Sequence, residues 1–176
     1  MSSVRRVVTG LDAQGKSDVV IDGHPERTFS WTDDPASQPN IAWIWSSEST
    51  PELPLPAVDP TLEIDQFIPA RAGVRFTVHT YEPGYGVSEL VIDEDALARK
   101  GFHFPPADRR TGGLDFHATA SVDFGVVISG EIWLLLENSR EVCLRAGDTL
   151  VQTGVIHAWQ NRAQTPCTIA FVFVGT

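Results

Sequence analysis

The carboxyl-terminal third of the chain constrains its fold most, because it is a nearly unbroken series of short strand-like segments. Between residues 116 and 174, apolar and β-branched residues are interrupted by turn signals at residues 129–130, 137–140, 145–148, 153–154 and 161–166. Short strands with closely spaced turns are typical of sandwiches and barrels rather than of alternating strands and helices. The sequence therefore predicts an all-β architecture.

The first half of the chain has more turns and weaker strand signals. Segments rich in β-branched or alternating residues predict strands over residues 5–9, 18–22, 41–45 and 73–81. Four prolines in residues 48–60 exclude a helix or a central strand there, so this stretch is expected to form an extended arm. Asp93 is a suitable cap and Gly101 a suitable stop for one short helix over residues 94–100.

Length and charge limit the classes of function. With 176 residues the chain suits one domain, in which residues 1–110 supply an arm and outer strands and residues 111–176 the motif region. A formal net charge of -10 disfavours a nucleic-acid partner. No apolar run reaches the ~20 residues that span a membrane, and the amino terminus lacks the apolar stretch of a signal peptide. We therefore expect a cytoplasmic protein without membrane or nucleic-acid partners.

Two spaced motifs carry the most specific information. In the first, His117 is followed by Thr119, by Asp123 after three more residues and by Gly130 after six more. This spacing resembles the pattern G-x5-H-x-H-x3/4-E-x6-G, with Thr119 in place of the second histidine and Asp123 in place of the glutamate. The leading glycine is slightly displaced, at residue 112 or 113.

The second motif begins at Gly147 and ends at Asn161. It resembles G-x5-P-x-G-x2-H-x3-N, with Thr153-Gly154 in place of Pro-x-Gly, while His157 and Asn161 keep their usual spacing. Together the two motifs resemble the cupin superfamily, in an H-x-T variant. The resemblance implies a cupin, or jelly-roll, β-barrel with one short helix and an extended amino-terminal arm.

The resemblance also implies that His117, Asp123 and His157 meet inside the barrel. Two imidazoles and one carboxylate resemble the ligand set of Fe(II), and Mn, Zn or Ni are further candidates. A typical cupin metal, however, is held by three histidines and one glutamate, and this chain lacks one histidine and has a shorter acid. A metal-free site in which His117 and His157 act as acid and base, oriented by Asp123, is therefore an equal alternative.

Four further residues are candidates for contact with a substrate. Thr119 shares strand parity with His117 and can form a hydrogen bond, and Trp159 shares parity with His157 and is expected to form a wall. Trp133 lies within the motif region, where core packing is the slightly favoured explanation. His79 lies in the strand predicted over residues 73–81 and is expected to face its polar side.

The leading functional prediction is an enzyme that converts a small molecule without redox change: a lyase, dehydratase, decarboxylase or isomerase. Its catalytic residues would be His117, His157 and Asp123. An Fe(II)-dependent dioxygenase and a non-catalytic small-molecule-binding protein are the alternatives. Because cupins commonly pair through their outer strands, the resemblance also implies a homodimer.

Overall fold

A computed structural model describes residues 4–29, 40–55, 58–87, 95, 102–103 and 116–176. The helix predicted over residues 94–100 lies outside these ranges except for Asp95, which has a helical conformation. One turn of 3₁₀ helix spans Pro60–Glu63, and Asp59 caps it by accepting a hydrogen bond from the backbone N–H of Thr61 at 2.9 Å. No helix in the described ranges is long and apolar enough to cross a membrane.

Strands make up most of the described chain and confirm the all-β prediction. Their bounds are β1 (Arg6–Leu11), β2 (Ser17–Gly23), β3 (Thr28–Phe29), β4 (Asn40–Ser47), β5 (Val74–Tyr81), β6 (Phe102–His103), β7 (Ala118–Thr119), β8 (Ser121–Ser129), β9 (Glu131–Leu136), β10 (Glu141–Arg145), β11 (Thr149–Gln152), β12 (His157–Gln160) and β13 (Cys167–Gly175). The four strands predicted in the first half correspond to β1, β2, β4 and β5.

All strand pairs are antiparallel, and two sheets form the body of the fold. The larger sheet has the order β11-β8-β13-β5-β4-β3, and the smaller one has the order β10-β9-β12. Strands β1 and β2 form a separate hairpin, and the short strands β6 and β7 pair with each other. Because β4 and β5 are hydrogen-bonded to each other and β5 to β13, strands from both halves of the chain build the larger sheet.

The main hydrophobic core joins the facing sides of these two sheets. It includes Ile132 and Leu134 from the smaller sheet and Trp43, Phe171 and Phe173 from the larger one. Side chains of a strand alternate between its faces, so each strand contributes every second residue to this core. The interior of the barrel is therefore lined largely by aromatic and branched aliphatic groups.

Strand β8 shows this alternation clearly. Ser121, Asp123 and Val127 are buried on the inner face, whereas Phe124 and Val126 are exposed on the outer face. Two polar residues of β8 thus point into a mostly apolar interior. Burying a polar group costs free energy unless the group is hydrogen-bonded, so Ser121 and Asp123 mark this end of the barrel as a candidate site.

Candidate functional site

Two histidines face each other across a short backbone bridge. His117 and His157 exchange two backbone hydrogen bonds of 2.9 Å, and their ring centroids are 4.5 Å apart. The turn at Gly154, with a φ of 69°, precedes β12. A Cβ at this glycine would lie 3.1 Å from the carbonyl oxygen of Thr119, so a small residue lets the turn pack against β7.

The ring of His157 has one defined tautomer. Its Nδ1 lies 2.9 Å from the carbonyl oxygen of Val155, and because a carbonyl oxygen only accepts, Nδ1 carries the hydrogen. Burial, together with the nearby His117, lowers the pKa of His157 to about 3. The imidazole is therefore neutral near neutral pH and presents the lone pair of Nε2.

Asp123 is a buried carboxyl group held by two hydroxyl groups. Ser121 Oγ donates to Oδ1 at 2.5 Å, and Thr119 Oγ1 donates to Oδ2 at 3.1 Å. Burial raises the pKa of Asp123 to about 6, although both hydroxyl groups and His117 oppose this rise. Both of these hydrogen bonds come from Asp123's own segment of the chain, and its predicted role in orienting the two histidines stays a prediction. We call His117, Asp123 and His157 the histidine–aspartate site.

Trp159 lies beside His157, as its strand parity predicts. The two rings are 5.7 Å apart in an edge-on arrangement, and the indole belongs to the main core. Its ring also lies 6.2 Å from that of Tyr81 and 6.1 Å from that of Phe171. Trp159 therefore links the histidine–aspartate site to the aromatic interior of the barrel.

The other two predicted substrate contacts lie on β5 and β9. His79 is buried on the inner face of β5, where its ring lies 6.1 Å from that of Tyr81, and the Tyr81 ring lies 6.2 Å from that of Trp159. Trp133 lies on the outer face of β9 and packs on a second hydrophobic cluster with Leu135. The guanidinium of Arg162 lies 4.6 Å from the Trp133 ring centroid. The structure does not bring Trp133 to the histidine–aspartate site.

Sequence reasoning missed two polar residues of this region. Ser121 shares strand parity with Asp123, so alternation alone was enough to find it. Gln152 is buried and lies directly opposite Asp123 in the β11–β8 register. No signal in the sequence indicates this cross-strand pair, because it depends on a register that only the folded sheet defines.

Comparison with known proteins gives partial matches, and no family model matches the chain. Phomopsin biosynthesis cluster protein C' of Diaporthe leptostromiformis is 46% identical over 59 residues, which are 33% of this chain and 31% of that protein. The cupin-domain-containing oxidoreductase fogC of Aspergillus ruber is 28% identical over 163 residues, which are 92% of this chain and 66% of that protein. The solved cupin domain of Schizosaccharomyces pombe Cnp3 covers 98% of this chain and 88% of its own length at 8% identity, with a TM-score of 0.48. The chain thus matches only about a third of the length of the Diaporthe leptostromiformis protein.

The architecture defines a small jelly-roll barrel whose polar groups point inward from two facing sheets. The two motifs fall on the strands that carry these groups, and a protein named for its cupin domain matches most of the chain. The chain is a member of the cupin superfamily.

The metal that cupins often hold does not fit the described residues. Catalytic zinc sites use three protein ligands, and the Fe(II) facial triad also needs three. Within the described ranges, no group of three or more His, Cys, Asp or Glu side chains is placed to hold a metal ion. Both oxygens of Asp123 already accept hydroxyl hydrogens, one of them from Thr119 at the position of the missing histidine. The proposed reaction therefore has no step through a metal.

Proposed function

We propose that this cupin is an enzyme that converts a small organic molecule by proton transfer, without redox change, at the histidine–aspartate site. The observation that carries the proposal is the buried carboxyl group of Asp123, whose pKa is about 6. A group whose pKa lies near the working pH both accepts and returns a proton efficiently. Lyases, dehydratases, decarboxylases and isomerases all use such a step.

The roles of the residues follow from their ionisation and tautomer. The Asp123 carboxylate takes a proton from a carbon or oxygen atom of the substrate and, once protonated, returns it to another atom. A pKa of about 3 makes His157 a weak base, so we assign its Nε2 to accept a hydrogen bond from a substrate O–H or N–H. His117 is only partly buried, whereas Asp123 and His157 are buried, so we place His117 on the side from which the substrate enters.

Two features support a small organic substrate. Trp159 offers an aromatic surface next to His157, on which a flat apolar body can lie. The relative in Diaporthe leptostromiformis is named for the biosynthesis of phomopsin, and this supports a biosynthetic intermediate as the substrate class.

Redox chemistry on the same substrate is the second candidate. The relative that matches 92% of this chain is named an oxidoreductase, and the Fe(II)-dependent dioxygenase predicted from the sequence belongs to this class. A non-catalytic protein that only binds the molecule is the third. The three candidates differ in which atoms the ligand gains or loses.

Isotope labelling separates these candidates in one experiment. The purified protein is incubated with a small-molecule extract of its source organism in deuterium oxide under isotopically heavy dioxygen, and the mixture is analysed by mass spectrometry. Proton transfer predicts a product that has lost water or carbon dioxide, or has kept its formula, with deuterium on carbon where a solvent-exchanged proton is returned to the substrate, as in decarboxylation or isomerisation. Heavy oxygen in the product, or loss or gain of a hydrogen pair, would indicate redox chemistry instead. A retained but unchanged ligand would indicate binding alone.

Substitutions test whether the histidine–aspartate site carries out the proton transfer. Asp123→Asn keeps the shape but not the ionisable group and is expected to lower turnover about 1,000-fold, and His157→Gln about 100-fold. Trp133→Phe, on the outer face of the smaller sheet, is the control and should keep nearly full turnover. Wild-type turnover in Asp123→Asn would refute the proton-transfer role.

A further inference from the structure

Gln152 is a buried polar residue to which the proposed reaction gives no role. It is the last residue of β11, it lies directly opposite Asp123 in the β11–β8 register, and only 3% of it is exposed. Side chains of directly opposite residues in an antiparallel pair lie on the same face of the sheet. Because Asp123 points inward, Gln152 also points inward, beside the histidine–aspartate site.

The carboxamide of Gln152 is hydrogen-bonded to the turn that leads to His157. Its Nε2 donates to the carbonyl oxygen of Val155 at 3.3 Å, and because that oxygen only accepts, the nitrogen of the amide must face it. The same oxygen accepts the hydrogen of His157 Nδ1 at 2.9 Å. A carbonyl oxygen has two lone pairs, so it can hold both donors at once. One backbone carbonyl thus connects Gln152 with His157.

This shared carbonyl lies where the chain passes from one sheet to the other. Strand β11 belongs to the six-stranded sheet and β12 to the three-stranded sheet, and residues 153–156 between them lie in neither. Gln152 is the last residue before this turn and His157 is the first residue after it. The Val155 side chain is 49% exposed, so the turn borders solvent. The two side-chain donors therefore hold the carbonyl inward from both ends of the turn.

The direction of this carbonyl determines the tautomer of His157. A neutral imidazole has one N–H and one lone pair, and the hydrogen bond of one ring nitrogen decides which nitrogen carries the hydrogen. With the Val155 carbonyl facing the ring, the hydrogen is on Nδ1 and the lone pair is on Nε2. A carbonyl that turned towards solvent would leave Nδ1 without its acceptor, and the ring would then also populate the form with its hydrogen on Nε2.

We propose that Gln152 is a positioning residue, which holds the Val155 carbonyl towards His157 and so keeps the Nε2 lone pair of His157 available to the substrate. The use of this lone pair in turnover rests on the proposed function. The tautomer itself is a property of the protein alone and is measurable without a substrate. If Gln152 only filled space, its replacement would change stability but not the tautomer.

Nitrogen-15 NMR of the His157 ring in the full chain tests this role. Gln152→Met keeps the length of the side chain but removes the donor, and Gln152→Asn keeps the amide but shortens its reach by one methylene group. In both variants the ratio of the Nδ1–H form to the Nε2–H form is expected to fall about 10-fold, the effect of one hydrogen bond.

Gln160→Met is the matched control. Gln160 lies on the same strand as His157 and also donates from Nε2 to a backbone carbonyl oxygen, that of Gly86 at 2.9 Å. This variant therefore loses the same kind of hydrogen bond through the same substitution, and the ratio of the two forms should stay at the wild-type value. An unchanged ratio in Gln152→Met, or an equal change in Gln160→Met, would overturn the positioning role.

A measurement on the wild type makes the test independent of the folding of any variant. Two hydrogen atoms that are bonded to one oxygen lie close together. A nuclear Overhauser effect is therefore expected between the Nε2 hydrogens of Gln152 and the Nδ1 hydrogen of His157. Its absence would show that the two side chains do not share the Val155 carbonyl and would overturn the inference.

Turnover separates this inference from the proposed function. The kcat/KM of Gln152→Met should fall in the same proportion as its fraction of the Nδ1–H form, because only that form accepts the hydrogen bond of the substrate. Gln160→Met should keep nearly full turnover. A changed tautomer with unchanged kcat/KM would refute the use of the lone pair in the reaction, whereas the proposed function itself is tested by Asp123→Asn.

Discussion

The two faces of the six-stranded sheet differ in the polar and apolar groups that they carry. The inner face carries Asp123, Thr77 and His79 within the core, whereas the outer face exposes Phe76 and Phe124, at 37% and 49%. An antiparallel sheet with one solvated face commonly has apolar residues inside and polar residues outside. The inner face thus carries buried polar groups within an apolar core, and the outer face exposes large aromatic side chains.

Asp123 and His79, two buried titratable groups of the inner face, are each in contact with a hydroxyl side chain of their own strand. On β8 Ser121 donates to Asp123, and on β5 Thr77 contacts His79, each pair two positions apart on the same face. A short hydroxyl side chain satisfies part of the hydrogen-bonding capacity of its neighbour without adding charge. What differs is the titrating group: a carboxyl with a pKa of about 6 on β8, and an imidazole with a pKa of about 3 on β5.

The largest expected effect concerns the packing of the inner face. Gly125 lies between Asp123 and Val127, and a Cβ there would be 2.8 Å from Cε1 of Phe171. Gly125→Val is therefore expected to lower the free energy of unfolding by about 3 kcal/mol, measured by urea unfolding. The control is Gly23→Val, where nothing lies within 4 Å. Equal losses in both variants would show that the inner face is not tightly packed at this position.

Acid should destabilise the fold through three buried groups, His79, Asp123 and His157. Between about pH 4.5 and pH 6 the unfolded chain protonates His79 and His157, while the folded chain keeps both neutral and protonates Asp123. The unfolded state thus binds one proton more, so the free energy of unfolding should fall by about 1.4 kcal/mol for each unit of decrease in pH.

Two variants separate the contributions to this slope. His79→Gln removes one of the protons that the unfolded state binds. The free energy of unfolding should then depend little on pH over the same range. Asp123→Asn removes the opposing proton and should roughly double the slope. Urea unfolding at several pH values measures both, and slopes identical to the wild type in both variants would contradict the ionisation states described for the inner face.

A smaller effect is expected from the hydroxyl group that holds Asp123. Ser121→Ala removes a hydrogen bond that favours the charged form, so the pKa of Asp123 should rise further. The carboxyl carbon resonance of Asp123, followed through a pH titration, measures this change. Ser129→Ala, at the exposed end of the same strand, is the control and should leave the titration unchanged.

The smallest change in stability is expected on the outer face, where the effect should be on association. The homodimer stays a prediction. We expect it to form where Val172 of β13 lies between its cross-strand neighbours Phe76 and Phe124. Phe124→Glu should change the free energy of unfolding of the monomer by less than about 1 kcal/mol but weaken self-association. Sedimentation velocity at several concentrations measures this, with Val19→Glu, also 49% exposed, as the control. A wild type that is monomeric throughout would refute the homodimer.

Much of the fold was predictable from the sequence because its strand signals are local. Alternation and turn residues predict β5, β8 and the strands that follow, and the parity of His157 with Trp159 correctly places both on one face. The face of Trp133 was not predictable, because β9 is a continuous apolar run in which periodicity does not distinguish inside from outside. The hydrogen bonds of Asp123 with Ser121 and Thr119 were not predicted, because the sequence motif relates the acid to the two histidines and carries no signal for hydroxyl partners.

One NMR titration of the wild type tests directly whether the histidine–aspartate site combines a neutral His157 with an ionisable Asp123. The expected result is that His157 keeps its hydrogen on Nδ1 and does not titrate between about pH 8 and pH 5, while the carboxyl carbon of Asp123 titrates near pH 6. Titration of His157 near its ordinary pKa of about 6.5, or an Asp123 that is already fully ionised at about pH 5, would contradict it.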